Sequence, residues 1–64
     1  DAKSQLKVID AGFIIIRADD QPNIRIKCKD KKSTEWHTLE RFNTKSARDK
    51  RMVQLLALQM VITD

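Results

Sequence analysis

The run Ile24-Arg25-Ile26-Lys27-Cys28-Lys29 limits the possible folds more than any other stretch of this chain. Apolar and cationic side chains alternate along it without a break. A strand sends successive side chains to opposite faces, so this segment gives one oily face and one face carrying Arg25, Lys27 and Lys29. A helix would scatter the same residues around its whole circumference. The chain is therefore expected to hold a sheet with a buried side and a positive side.

The neighbouring segments extend that reading. Phe13-Ile14-Ile15-Ile16-Arg17 is β-branched and aromatic and reads as a strand. Asp19-Asp20-Gln21-Pro22-Asn23 reads as a turn, because Pro22 presets its own φ and Asp and Asn bond back to local backbone. Asp30-Lys31-Lys32-Ser33-Thr34 has hairpin length. The third strand is expected from Glu35 to Glu40 or Arg41, with Trp36 and Thr38 on one face and His37 and Leu39 on the other. Two short connections imply an antiparallel meander.

A helix follows, with Asn43 or Thr44 as N-cap and Asp49 near its positive start. Met52, Val53, Leu55, Leu56 and Met60 form its apolar stripe, and Leu58 lies off it. Val61-Ile62-Thr63-Asp64 reads as a tail that folds back. Ahead of the first strand, Leu6 to Ile9 fits a short strand. Ser4 to Ala11 equally fits a short helix that ends at Gly12, the only glycine, in the left-handed position after a helix. Ile14 and Ile16 oppose Phe13 and Ile15, so the first strand is apolar on both faces and needs cover on both. The second cover comes either from this chain or from a second copy.

The expected architecture is α+β in one domain over residues 1–64: a three-stranded antiparallel meander packed against one C-terminal helix, with a short N-terminal helix or strand. The expected core is Phe13, Ile15, Ile24, Ile26, Trp36, Leu39, Phe42, Met52, Leu55, Leu56 and Met60.

Composition removes several function classes. The single Cys28 excludes an internal disulfide and points to a reducing, cytoplasmic setting. With Cys28 and His37 as the only soft ligands, no metal centre is expected. No apolar run approaches a membrane span, and Asp1-Ala2-Lys3-Ser4 lacks the pattern of a signal peptide. A chain opening on Asp1 rather than Met reads as processed or excised from something longer.

Enzyme chemistry finds little to work with. Cys28 and His37 are the only nucleophile–base pair, and Cys28 shares the apolar parity of Ile24 and Ile26, which suits an inert buried thiol. Asp19 and Asp20 read as turn formers. One glycine cannot make a phosphate-cradling loop. The chain is read as non-catalytic, with no cofactor and no small-molecule substrate.

Binding chemistry is better represented. Net charge is +4, and residues 31–51 account for it: Lys31, Lys32, Arg41, Lys45, Arg48, Lys50 and Arg51 against Glu35, Glu40 and Asp49. A clustered positive field suits an anionic partner such as DNA or RNA. The candidate contacts are Arg25, Lys27 and Lys29 on the sheet, Lys31 and Lys32 at a hairpin tip, and Lys45, Arg48, Lys50 and Arg51 at the helix start, where free N–H groups add to anion attraction. The alternative is a protein-interaction or homodimerisation domain that uses the two-faced strand and exposed sheet edges, with the charge serving solubility.

Trp36-His37-Thr38-Leu39-Glu40-Arg41-Phe42-Asn43-Thr44-Lys45-Ser46-Ala47 resembles the strand-to-helix corner of the amino-terminal arm-type DNA-binding domains of phage and transposon integrases. That resemblance implies a three-stranded sheet inserted into a DNA groove, with Arg25, Lys27 and Lys29 as readers. If the N-terminal segment is helical, the order α-β-β-β-α is similar to a double-stranded-RNA-binding domain, which would give Lys45, Arg48 and Lys50 the phosphate contacts.

Overall fold

The computed structural model describes residues 1–64. Helix α1 spans Ala2–Asp10, and the Asp1 carboxylate caps it by accepting from the Ser4 N–H. Its end is stapled by N–H bonds from Ala11 and Gly12 to the Lys7 and Ile9 carbonyls. Gly12 then takes φ +103°, a conformation that L side chains rarely adopt. This settles the two readings of the N-terminus in favour of helix.

Strand β1 covers Ile14–Asp19, β2 Arg25–Lys29 and β3 His37–Arg41. They pair antiparallel in sequence order, as the meander predicts. The tail is a fourth strand, β4, over Val61–Thr63, and it lies parallel to β1. The sheet is therefore four-stranded and mixed, in the order β3-β2-β1-β4, and the three-stranded expectation is corrected. A parallel pair needs a crossover connection. Helix α2, Lys45–Leu56, supplies it, with Thr44 as N-cap accepting from the Ala47 N–H. The chain turns back through Met60 at φ +67°, whose carbonyl accepts from the Ile14 N–H as β4 begins.

Each face of β1 is covered by a different helix. On one face Ile16, Ile26, Cys28 and Leu55 form the main core, with Phe42, Met52 and Val61 packed against it under α2. Ile15 points the other way and is buried, as is Ile9 of α1, and the hollow between Gln5, Val8, Ile15 and Ile62 places α1 on that side. The chain thus covers both faces of β1 itself, although Ile14 remains 36% exposed.

The core differs from expectation at definite places. Ile9 and Ile16 are buried, whereas Leu39, Leu56 and Met60 are exposed, and Phe13, Ile24, Trp36, Phe42 and Met52 are half-buried. Leu39 has a clear cause. Ile26 pairs with Glu40 but the next residue, Lys27, pairs with Thr38. Leu39 is the extra residue of a β-bulge on the outer strand, so it leaves the parity that would have turned it inward. On α2 the buried line runs through Arg48, Met52 and Leu55, and Val53, given to the stripe, is 71% exposed.

Candidate nucleic-acid interface

Register decides what each cation meets. Arg17 lies opposite Lys27, and Asp19 opposite Arg25, so β1 and β2 put one acid and three bases side by side on the sheet face away from α2. The Asp19 carboxylate accepts two bonds from Arg25, at 2.9 and 3.0 Å, and lies 3.6 Å from Lys27. The Arg25 hydrogen bonds, helped by the Gln21 N–H and the Lys27 charge and opposed by partial burial, hold the Asp19 carboxyl below the usual carboxylate range. Arg25 also donates to the Thr38 hydroxyl at 2.7 Å. Lys29 donates to the Gln5 side chain of α1 at 2.8 Å, and Arg17 pairs with Asp64.

Trp36 lies over this face. Its ring centre is 4.7 Å from Lys29 Nζ, 4.8 Å from the Arg17 guanidinium carbon and 5.5 Å from Lys27 Nζ. Contacts of this kind are each worth roughly 0.5–1 kcal/mol at exposed sites. The half-buried Trp36 is thus a lid on cations rather than a member of the apolar core. The carboxylates paired with Arg17, Arg25, Lys27 and Lys29 here are those of Asp19 and Asp64, two against four cations, so the face keeps a positive excess.

The helix-start cations do not join this surface. Helix α2 packs on the opposite side of the sheet. Lys45 pairs with Asp20 at 3.1 Å and Arg51 with Glu40 at 2.8 Å. Arg48 is 9% exposed, and its guanidinium donates to the Asp19 main-chain oxygen at 3.1 Å and to the Asp49 carboxylate at 3.0 Å. It holds helix to sheet and is turned away from solvent. Lys50 is exposed with no ion pair, as are Lys31, Lys32 and Arg41. Of these, Lys31 and Lys32 stand at the β2–β3 tip, two and three residues beyond Lys29.

Two features of this surface escaped sequence reasoning. Arg17 enters it through its register with Lys27, and Asp19 enters as the neutralising acid. The alternation of Ile14, Ile16 and Ala18 against Ile15, Arg17 and Asp19 carried a weak signal for both. On the α2 side, Cys28 Sγ lies 3.2 Å from His37 Nε2, the contact that the strand assignment allowed.

No helix is long and apolar enough to cross a membrane. No family model, curated protein or solved structure matches the chain.

Proposed function

We propose that this domain is a non-catalytic binding module whose partner is a nucleic acid held on the Trp36 face of the sheet. The observation that carries the reading is the gathering of Arg17, Lys27 and Lys29 within 5.5 Å of one tryptophan ring on a face that retains excess positive charge. Phosphate neutralisation supplies affinity, and an aromatic ring at the same place offers a stacking surface. Asp19 already occupies Arg25 and part of Lys27. The weight of binding therefore falls on Lys29, Lys31 and Lys32, none of which has a carboxylate partner. The integrase-arm and double-stranded-RNA-binding resemblances agree with this partner class, and the two propose different bases for the contact: the sheet for the first, the α2 start for the second. Burial of Arg48 favours the sheet.

Trp36 is the only tryptophan, so its emission reports directly on the face. Titration with duplex DNA, duplex RNA and single strands should change that emission. Affinity should fall with salt, with a slope of about −0.7 to −0.9 per phosphate neutralised. Reversing Lys31 and Lys32 to Glu should weaken binding. Unchanged emission, or an affinity indifferent to salt, ends this reading.

A second reading has its own observation. Val53, Leu56, Leu58 and Met60 are 71, 39, 57 and 42% exposed around the end of α2. Such a group of apolar side chains suits association with a protein or a second copy. Sedimentation at micromolar concentration decides it: a strict monomer removes self-association.

A further inference from the structure

Cys28, Asp30 and His37 bring a sulfur, a carboxylate and an imidazole together at one end of the sheet, on the side of α2. Their ligand atoms all lie within 4.8 Å of one another, with Cys28 Sγ 3.2 Å and the nearer Asp30 oxygen 3.8 Å from His37 Nε2. From this geometry we propose that the three residues form a binding site for a tetrahedral divalent transition metal, Zn(II) being the best match to the donor set.

The distances fit. Zn bonds of about 2.0–2.3 Å at tetrahedral angles put neighbouring ligand atoms about 3.4–3.6 Å apart. Two of the observed separations bracket that range, and the remaining adjustment falls on the Asp30 side chain. Thiolate, imidazole and carboxylate together suit Zn(II) better than the oxygen-seeking Mg(II) or Ca(II). A water completes the fourth position.

The outer contacts already orient the ligands. His37 Nδ1 lies 3.1 Å from the Glu35 carbonyl, an acceptor, so Nδ1 carries the proton and Nε2 presents its lone pair to Cys28 and Asp30. Asp30 Oδ1 accepts from the N–H groups of Lys32 and Ser33 at 2.9 and 3.0 Å, which leaves Oδ2 aimed at His37. Both ligands are thus held by the atom that the metal does not use. Cys28 is 1% exposed, whereas the His37 and Asp30 side chains are 38 and 24% exposed, so the ion reaches the sulfur from their side. Metal binding replaces the S–H bond by an S–metal bond, and the proton leaves to water.

Register produces the site. Cys28 pairs directly with His37 across β2 and β3, and Asp30, just past the end of β2, brings its carboxylate within 4.8 Å of both. The pattern Cys-x-Asp, six residues and His across one hairpin is the trace it leaves in the chain.

The test is titration of the 64-residue protein with Co(II), followed by displacement with Zn(II). The expected result is a sulfur-to-cobalt charge-transfer band that saturates at one equivalent and is abolished by Zn(II). Cys28→Ser should lose the band. Because Cys28 is buried and that variant can fail to fold, His37→Gln and Asp30→Asn are the deciding pair, with circular dichroism verifying their fold. Each should weaken binding by more than about 100-fold, beyond the roughly 10–100-fold that loss of an outer partner costs. No charge-transfer band with the folded protein in excess Co(II), or a band of equal affinity in His37→Gln, overturns the site.

Discussion

The Arg48 guanidinium donates to the Asp19 main-chain oxygen at 3.1 Å, across 29 residues of sequence. Asp19 is thereby held from two sides, because its carboxylate receives Arg25 from the other face of the sheet. One residue at the end of β1 joins the long helix to the basic surface, and no buried side-chain polar atom is left without a partner.

Replacing Arg48 by Ala should cost about 1–3 kcal/mol. The Asp19 oxygen loses a charged donor, and the arginine stem loses its packing against the sheet. Urea unfolding measures this, with Lys50→Ala as the exposed control on the same helix. Equal midpoints for the two variants would show that Arg48 is dispensable.

Stability should depend on acid through Asp19. Its carboxyl sits below the ordinary value when folded, chiefly because of the Arg25 hydrogen bonds. The unfolded chain therefore binds the proton more readily. The stabilisation is complete well above the unfolded value of about 3.9 and drains away as pH falls through it towards the folded one. Asp19→Asn should accordingly be less stable than the parent at neutral pH, with the gap narrowing below about pH 4. A gap that stays constant from pH 7 to pH 3 would assign the loss to something other than ionisation.

Gly12→Ala should destabilise by about 1–2 kcal/mol through its φ of +103°. An added Cβ would also come 3.3 Å from Met60 Cε, the flexible end of a side chain that can yield. The backbone term therefore dominates. In a domain of this size the melting temperature should drop by about 4–8 °C per kcal/mol. A calorimetric scan reads the shift, and an unchanged melting temperature would mean that the α1–β1 junction tolerates another conformation.

Ile26→Val, at a side chain with no exposed surface, should cost about 0.5–1.5 kcal/mol, and Ile26→Ala about 2–5 kcal/mol. Chains this short bury a modest share of their surface, so the Ala variant should be largely unfolded at room temperature. Denaturant titration of the Val variant gives the measurable increment. A loss no greater than that of Val53→Ala on the exposed side of α2 would place the core elsewhere.

Local signals were readable wherever they sufficed. Strict alternation located β2, Asn43-Thr44 bracketed the start of α2, and Gly12 marked where α1 ends in one of the two readings open for the N-terminal segment. What escaped depended on partners distant in the chain. Val61-Ile62-Thr63 is too short to announce a strand and becomes one only by pairing with β1 through the α2 crossover. Leu39 follows the apolar parity in sequence, and a bulge created by pairing overrides it. Arg48 reads as a surface cation until Asp19 is brought within reach. The same holds for the candidate surface. The cations of β2 were legible, but Asp19, which tempers them, comes from the neighbouring strand in register, and the Trp36 ring comes from the residue just ahead of β3. Asp30 joins Cys28 and His37 only when the hairpin closes.

The misfit residue in β3 also governs how the molecule treats its own kind. Leu39 kinks the outer flank of the sheet, with the charged Glu40 and Arg41 directly beyond it. The opposite flank is only three residues long. Neither side offers the straight, uncharged ribbon of free amides on which another copy could zip and propagate a fibril. A chain rich in isoleucine thus carries its own guard against edge-to-edge pairing.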